Sequence, residues 1–396
     1  MWLMGVVCVI SFSPLVPQDY APFISAAVLV REGHPEDVYL PPDAENLFDT
    51  RPGFQAVSAR VLNAVQPTAY VSPPPAVGLG WPSLWVPVQV AMIGFRLSMN
   101  LLVFIGVWWL DRQIWQKDAV RGRQWSLLLL GMTPLFVYST LLGQTSGLLI
   151  MVGAAGVLAP QTARDLLAGV ALSIVTIAKL LPLALIAGAL AMRRRPLGLS
   201  ALLAGLLVTV LSLLWLPLEL WASFFTSLQT LGGTVIADRN NASADALLAH
   251  LQVGGVGAQL VTPTAWAWWM SNGIRIGLVG AGLWLAYGRT PASPARRFGA
   301  LLLVFLALTP LLWVHYLQVL LPILWVELYE SRSARTGWVF VALGWGLSIP
   351  IILRLSGVDE AIIQIVATAT WLTAAGGVLM HGLRPPQLSE ENHHVD

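Results

Sequence analysis

The sequence is poor in charged residues. Only 11% of its 396 residues are Asp, Glu, Lys or Arg, whereas 56% are hydrophobic. A soluble domain carries about 25% charged residues, so most of this chain is expected to avoid water. The formal net charge is only +2, and no basic tract is interleaved with aromatic residues. Both facts argue against a nucleic-acid partner.

Several kinds of chemistry are missing from the sequence. Its single cysteine, Cys8, lies in an apolar stretch, which excludes internal disulfides and cysteine-based zinc or iron–sulfur sites. The chain has no phosphate-binding glycine loop ending in Lys-Ser or Lys-Thr, no Gly-x-Ser-x-Gly elbow and no His-Glu-x-x-His motif. The pair His393 and His394 is too isolated for a metal site. We predict neither a metal nor a cofactor.

Apolar stretches separated by short arginine-bearing breaks dominate the chain. Because a helix of about 20 apolar residues spans a bilayer, they predict an all-α polytopic membrane protein with about twelve transmembrane helices. The first stretch lacks a basic flank and a cleavage site, so we expect it to anchor the chain, either as a shortened helix or with the true start upstream. The predicted segments are 1–16, 94–110, 125–142, 146–160, 165–178, 180–192, 198–217, 264–287, 298–313, 316–329, 337–354 and 361–380.

The basic residues indicate the orientation of this single transmembrane domain, 1–396. Fourteen of the 22 lie in one set of short loops, which the positive-inside rule assigns to the cytoplasm together with the tail 381–396. The two longer polar segments, 17–93 and 218–263, are then external loops of a plasma (inner) membrane protein. The fourteen are Arg112, Lys117, Arg121, Arg123, Arg164, Arg193, Arg194, Arg195, Arg289, Arg296, Arg297, Arg332, Arg335 and Arg384.

Five polar residues that are distant in sequence fall near the outer boundary under this topology. An ionisable group in or beside a spanning segment costs several kcal/mol unless it is paired or lines a wet cavity, so each is a site candidate. Asp19 suits a general base, but also a simple helix-end carboxylate. Lys179 suits a phosphate-binding charge or a side chain that snorkels to the interface. The five are Asp19, Arg96, Gln144, Lys179 and His315.

The surroundings of these residues leave further alternatives open. His315 could bind a phosphate or a sugar hydroxyl, or belong to an interfacial belt with Trp313 and Tyr316. Pro182 is expected to break the helix beside Lys179. Arg275 interrupts an apolar segment, and we expect it to pair with an acid.

Several short motifs occur in an order that resembles glycosyltransferase family 87, the polyprenyl-phosphate-sugar-dependent transferases of the GT-C superfamily. The resemblance covers roughly residues 17–325. The chain departs from the family pattern at Tyr316, where a second histidine is often found. The matching elements are Asp19-Tyr20-x-x-Phe23, Arg31-Glu32-Gly33, Asp37-Val38-Tyr39, Tyr70-Val71-Ser72-Pro73-Pro74, Gly143-Gln144, Lys179-x-x-Pro182, Asn241-x-Ser243 and Thr309-Pro310-x-x-Trp313-x-His315.

The resemblance implies a GT-C-like helical bundle and an inverting transfer on the external face. The donor would be a polyprenyl-phosphate sugar, with mannose as the implied sugar, and the acceptor a hydroxyl of a glycolipid, glycan or protein. Asp19 would be the base, and the donor phosphate would be bound by Lys179, His315 and Arg96. The residues implied for sugar and acceptor binding are Gln144, Asn241, Ser243, Trp313 and Tyr316.

Two readings from other classes remain open at this stage. A transporter or lipid flippase also needs ionisable groups and broken helices within the membrane, although it would place polar groups near the bilayer centre and on both faces. A non-catalytic scaffold of envelope assembly would leave Asp19 dispensable.

Overall fold

The structure of the protein is a computed structural model that describes residues 2–63, 67–114, 118–158, 162–179, 183–254, 258–288, 292–309, 311–331 and 333–382. Helices make up most of it. They are α1 (Trp2–Ser11), α2 (Ala21–Glu32), α3 (Pro52–Leu62), α4 (Val88–Ile114), α5 (Ala119–Leu142), α6 (Ser146–Val157), α7 (Thr162–Ala178), α8 (Leu183–Ala191), α9 (Arg195–Trp215), α10 (Leu218–Gly232), α11 (Ala244–Val253), α12 (Ala265–Tyr287), α13 (Pro294–Leu308), α14 (Leu321–Glu330), α15 (Ala334–Leu355) and α16 (Glu360–Gly382).

Every predicted membrane segment overlaps one of these helices. Five of them, α4, α5, α9, α15 and α16, are long and apolar enough to cross a membrane. The prediction of an all-α polytopic membrane protein is therefore confirmed, whereas twelve crossings remain a prediction. Pro182, Pro310 and the tail beyond residue 382 lie outside the described residues.

The first predicted external loop, residues 17–93, folds into structure of its own. It contains α2, α3 and three 3₁₀ turns, at Pro35–Asp37, Pro74–Leu79 and Trp81–Leu84. Its aromatic side chains form a second core, separate from that of the main helices, and α10 contributes Phe224 to it. Apolar burial of this kind fixes the segment as a cap over one end of the helical bundle.

Close helix packing holds the main bundle together. At Gly131 of α5, an added Cβ would lie 2.4 Å from the ring of Trp345 on α15. The Trp345 indole N–H donates to the Leu127 carbonyl at 3.0 Å, and the Ser348 hydroxyl donates to the Gly131 carbonyl at 2.6 Å. Small residues at such contacts let helix backbones approach closely where lipid offers no hydrophobic drive for association.

Two short strands complete the cap. β1 (Val235–Ala237) pairs antiparallel with β2 (Gln259–Val261), with Ile236 opposite Leu260. Just after β1, Asn241 forms an isolated bridge with Trp313. These contacts tie the second predicted external segment to the connection between α13 and α14, where a 3₁₀ segment runs from Val314 to Leu320.

Candidate active site

A cavity of about 160 Å³ lies where the cap meets the helical bundle. Five of the residues singled out in the sequence line it, although almost 300 positions separate the first from the last. Each lies in a connection between α-helices, and His315 is part of the 3₁₀ segment Val314–Leu320. The five are Asp19, Gln144, Lys179, Trp313 and His315.

The turn that carries Asp19 is pressed against the end of α5. The Asp19 amide donates to the Leu142 carbonyl at 2.9 Å. Gly143 ends α5 with φ +69°, and a Cβ there would lie 2.7 Å from Cβ of Pro17. Only glycine satisfies both the left-handed backbone and this close approach. The Gly-Gln element of the sequence therefore fixes where Asp19 lies.

Tyr20 holds the other side of the same turn. Its hydroxyl donates to the Leu79 carbonyl at 2.8 Å. Its ring stacks on Phe95 of α4 with centroids 4.0 Å apart. The Asp-Tyr pair of the sequence thus combines a residue that faces the cavity with one that anchors it to the cap and to α4.

Four buried polar atoms without partners lie in or beside this cavity. Among the described residues, no hydrogen bond is formed by Oδ2 of Asp19, by either ring nitrogen of His315 or by the hydroxyl of Tyr316. More than 90% of buried polar groups in proteins are satisfied, because an unmade hydrogen bond costs about 1–3 kcal/mol. The free-energy cost of leaving these four neighbouring atoms without partners indicates that they are arranged to bind a ligand.

Lys179 continues the last turn of α7, since its amide donates to the Val175 carbonyl at 2.7 Å. Its Nζ lies 4.0 Å from the centroid of the Tyr316 ring, a cation–π contact. Burial lowers the pKa of Lys179 to about 8, although Asp19 acts in the opposite direction. The side chain is therefore a cation near neutral pH, with an aromatic support on one side.

The pKa of the Asp19 carboxyl group is shifted toward neutral pH. Burial raises its pKa to about 6; the charge of Lys179 lowers it, and that of Asp238 raises it further. A carboxylate with a pKa slightly below neutral pH accepts a proton more readily than an ordinary aspartate and is still ionised at pH 7. These are the properties of a general base.

His315 is 2% exposed and surrounded by rings. Tyr316 lies edge-on to it at 4.7 Å, and Trp313 is nearly parallel at 6.4 Å. Burial, followed by the charges of Lys179 and Arg354, lowers the pKa of His315 well below its usual range. The imidazole is thus neutral and offers a hydrogen bond, not the positive charge that phosphate binding alone would favour.

Asn241 and Ser243 lie beside the site but do not line the cavity. Nδ2 of Asn241 donates to the Ile236 carbonyl at 3.1 Å, and Ser243 caps α11 by accepting from the Ala246 amide at 3.2 Å. The Ala242 amide donates to the Leu312 carbonyl at 2.7 Å. The motif thereby fixes the backbone leading into Trp313 and His315.

Arg96 also lies apart from the cavity. It is 1% exposed, and its guanidinium donates to three main-chain carbonyls: Ser13 at 2.8 Å, Leu15 at 2.7 Å and Leu141 at 3.0 Å. These bonds join the segment leading to Asp19 to the end of α5. The residue therefore braces the wall behind the site.

Four further residues belong to the site and were not singled out from the sequence. Tyr138, Asp238 and Asn240 line the cavity, and the Arg354 guanidinium donates to the Tyr138 hydroxyl and to Oδ1 of Asn240. Asp238 and Asn240 are part of a visibly polar stretch, and Arg354 is a solitary cation at a segment end. Nothing in the sequence around Tyr138 marks it as a site residue, except that it lies five residues before Gly143.

The comparison with protein families decides the identity. The sequence model of glycosyltransferase family 87 matches residues 70–313, more than half of the chain. The chain belongs to glycosyltransferase family 87. The resemblance seen in the sequence is confirmed, and so is the prediction of an enzyme over the transporter alternative. This family 87 protein is a membrane glycosyltransferase.

Solved structures with a similar fold include two of ArnT from Cupriavidus metallidurans. One is bound to undecaprenyl phosphate, has 13% sequence identity and a TM-score of 0.43, and the match covers 96% of this chain and 75% of ArnT. The other is in the apo state, with 13% identity, a TM-score of 0.41 and coverage of 96% and 76%. No curated protein sequence matches this family 87 chain.

Proposed function

We propose that this enzyme transfers a sugar, with mannose as the sugar its motifs imply, from a polyprenyl phosphate to a hydroxyl of a glycolipid, glycan or protein acceptor. Transfer occurs at the outer face of the plasma (inner) membrane and inverts the anomeric centre. One observation carries the proposal: Asp19, Lys179 and His315 line a single cavity at one end of the helical bundle.

The reaction is a single displacement. The acceptor oxygen attacks the anomeric carbon from the face opposite the phosphate, while its proton passes to the carboxylate of Asp19. The bond between the anomeric carbon and the phosphate oxygen breaks, and its electron pair leaves with the polyprenyl phosphate. One displacement at carbon inverts its configuration, which is why a base is required and a nucleophilic side chain is not.

Two carboxyl groups line the cavity, and their hydrogen bonds favour Asp19 as the base. Oδ1 of Asp238 already accepts from the amide and the side-chain Nδ2 of Asn240, at 2.7 and 2.8 Å. Oδ2 of Asp19 is buried with no partner among the described residues. A base must have an acceptor atom available to the substrate proton, and Asp19 has one.

Lys179 and His315 complement the charge that develops on the leaving phosphate. Lys179 supplies a positive charge, and neutral His315 supplies an N–H donor. Donors already in place at a desolvated site stabilise a developing anion more than water does. Arg96 is left out of the donor site because it does not line the cavity and both its terminal nitrogens donate to main-chain carbonyls.

Gln144 and Trp313 line the same cavity, and the Tyr316 hydroxyl has no partner among the described residues. We assign these three to the hydroxyl groups and the ring face of the sugar or acceptor. Asn241 and Ser243 contribute indirectly, by fixing the backbone before Trp313.

The arrangement of charge supports an outward-facing site. The arginine-bearing loops and the cavity lie at opposite ends of the bundle, with Arg121 at one end donating to the carbonyls of Tyr329 and Ser331. Basic loops are retained in the cytoplasm during insertion, so the cavity would face the opposite compartment.

The decisive experiment replaces Asp19 with Asn and measures sugar transfer from a polyprenyl-phosphate sugar in membranes. We expect turnover to fall about 10³-fold, because a positioned base contributes about 10²–10⁴-fold. Asp238→Asn should cost less than about tenfold, because an amide oxygen can still accept the bonds from Asn240. Asp43→Asn, in an exposed position of the same external segment, should change nothing. Normal turnover of Asp19→Asn would eliminate Asp19 as the base.

The donor site is tested at Lys179. Lys179→Met keeps a chain of similar length over the Tyr316 ring but removes the charge, so the apparent donor KM should rise about tenfold or more. Lys179→Arg keeps the charge and should recover part of the affinity. If Lys179→Met left the donor KM unchanged, the phosphate would have to lie elsewhere.

A further inference from the structure

A second cavity, of about 270 Å³, lies between the end of α10 and the first half of α12. None of its lining residues belongs to the cavity of Asp19. Its polar and aromatic lining is contributed by Thr234, Asp245, Trp268, Ser271, Asn272 and Arg275. This cavity is separate from the reaction site, and the proposed reaction assigns no role to it.

An ion pair forms one wall of this cavity. Arg275, expected from the sequence to meet an acid, pairs with Oδ2 of Asp245. The side chains are 26% and 8% exposed, respectively, and the Arg275 guanidinium also donates to Oδ1 of Asn272 at 3.2 Å. Arginine has five N–H donors and a carboxylate about four acceptor positions, so the pair retains hydrogen-bonding capacity toward the hollow.

The composition of the lining selects the class of ligand. The two charges cancel, so the cavity lacks the surplus positive charge that a phosphate group needs. The Asn272 amide and the Ser271 hydroxyl already donate to the Trp268 carbonyl, at 2.8 and 3.1 Å, and an alkyl chain would offer no further hydrogen bond to them or to the ion pair. A neutral sugar ring suits all of them, because it offers several hydroxyls and an apolar C–H face that can pack on Trp268.

Trp268 is available for such packing. It is 46% exposed and is held edge-on to Trp269, with ring centroids 4.7 Å apart. An indole fixed in this way presents a rigid flat surface at little entropic cost. Its neighbour Trp269, 69% exposed, lies outside the cavity lining and provides a matched control.

The second cavity shares three lining residues with a crevice that reaches the chain segment before Trp313. Asp245, Ser271 and Arg275 also line a narrower crevice whose wall includes Thr309 and Leu312. Leu312 directly precedes Trp313, which lines the cavity of Asp19. This neighbourhood fits an acceptor with several sugars, held at one sugar while a hydroxyl of another reacts.

We propose that this second cavity binds a neutral pyranose residue of the acceptor, remote from the hydroxyl that is glycosylated. The inference deepens the proposed function and rests on it for the role of the ligand. The presence of a sugar-binding site can be tested without any transfer reaction.

The test measures saturation-transfer NMR from the full chain in lipid nanodiscs to methyl glycosides of mannose, glucose and galactose. Asn272→Leu keeps the size but removes the amide, and Trp268→Ala removes the ring; each should weaken binding about tenfold, the equivalent of one to two hydrogen bonds. Trp268→Ala also covers the case in which Asn272→Leu fails to fold, because Trp268 is an exposed side chain.

Three controls separate this site from the reaction site. Trp269→Ala, Asp19→Asn and Lys179→Met should all leave glycoside binding intact, so loss of transfer in the last two with retained binding would separate the two sites. The inference is overturned if no glycoside binds, if binding survives both Asn272→Leu and Trp268→Ala, or if glycerol phosphate binds there in preference to the sugars.

Discussion

The buried ion pairs near the arginine-bearing loops differ from the polar groups in and beside the cavity of Asp19. Near these loops, Arg194 pairs with Asp165, and Arg296 binds Glu327 and Glu330 at 3.0 and 3.1 Å. In the second group, Asp19, His315 and Tyr316 each retain a buried polar atom without a partner among the described residues.

The contrast separates stability from function. A paired buried charge stabilises the fold only in the sense that removing one partner is costly. An unpaired buried polar atom costs free energy in the free protein, and that cost is offset only when a ligand supplies the partner. The ion pairs should therefore respond to mutation in stability, and the polar groups at the cavity in turnover.

The largest effect is expected from breaking the ion pair between Asp165 and Arg194. Asp165→Asn leaves the Arg194 guanidinium, 8% exposed, without its counter-charge, and should lower the free energy of unfolding by about 3–5 kcal/mol. Turnover per folded molecule should stay normal. Thermal unfolding in detergent and active-site-normalised kinetics measure the two quantities. Glu32→Gln, in an exposed pair with Arg60, is the control and should cost less than about 1 kcal/mol.

The next prediction concerns Arg96, which the sequence assigned to the donor phosphate. Because Arg96 braces the segment before Asp19, Arg96→Met should lower kcat about 100-fold by misplacing the base. The donor KM should change little. A donor KM that rises with unchanged kcat would instead restore the role implied by the sequence. Arg96→Lys should rescue only part of the loss, since an ammonium cannot reproduce the planar fork of a guanidinium.

The pH dependence of the reaction tests the roles of Asp19 and Lys179 in the cavity. Asp19 has a raised pKa of about 6, so below that pH the base is protonated and kcat/KM should fall about tenfold per pH unit. Lys179 has a lowered pKa of about 8, so above that pH its charge is lost and donor use should decline. Lys179→Arg should remove the alkaline limb alone. A flat profile between pH 5 and 9 would contradict both assignments.

The smallest effect is expected at Tyr316. Tyr316→Phe deletes a buried hydroxyl that has no partner among the described residues but keeps the ring under Lys179. Stability should rise by up to about 1 kcal/mol, while turnover should fall a few-fold. A loss of stability would mean that the hydroxyl is satisfied in the free enzyme.

Much of the architecture could be predicted because it depends on local composition. The lengths of the apolar stretches predict the segments that overlap the main helices, and the order of the motifs indicates the family. The sequence predicts that the segment 17–93 is an external loop, but not that it folds into α2, α3 and three 3₁₀ turns. Its short, mixed apolar pattern resembles a polar loop until tertiary packing buries it against α10.

The site was predictable only in part. Asp19, Lys179 and His315 stand out because ionisable groups are rare beside apolar segments. Tyr138 did not, because a tyrosine in an apolar run is compatible with any side of the helix. Arg96 stands out for the same reason as Lys179, yet it does not line the cavity and its two terminal nitrogens donate to main-chain carbonyls.

The sequence alone determined that this protein lies in a membrane, which stretches are helical and which family it belongs to, because hydrophobic length and short motifs are local properties. Only the tertiary structure decided which polar residues reach the cavity and which brace it from behind. That choice depends on the rotation and close approach of helices distant in sequence. Spacing along the chain does not encode it.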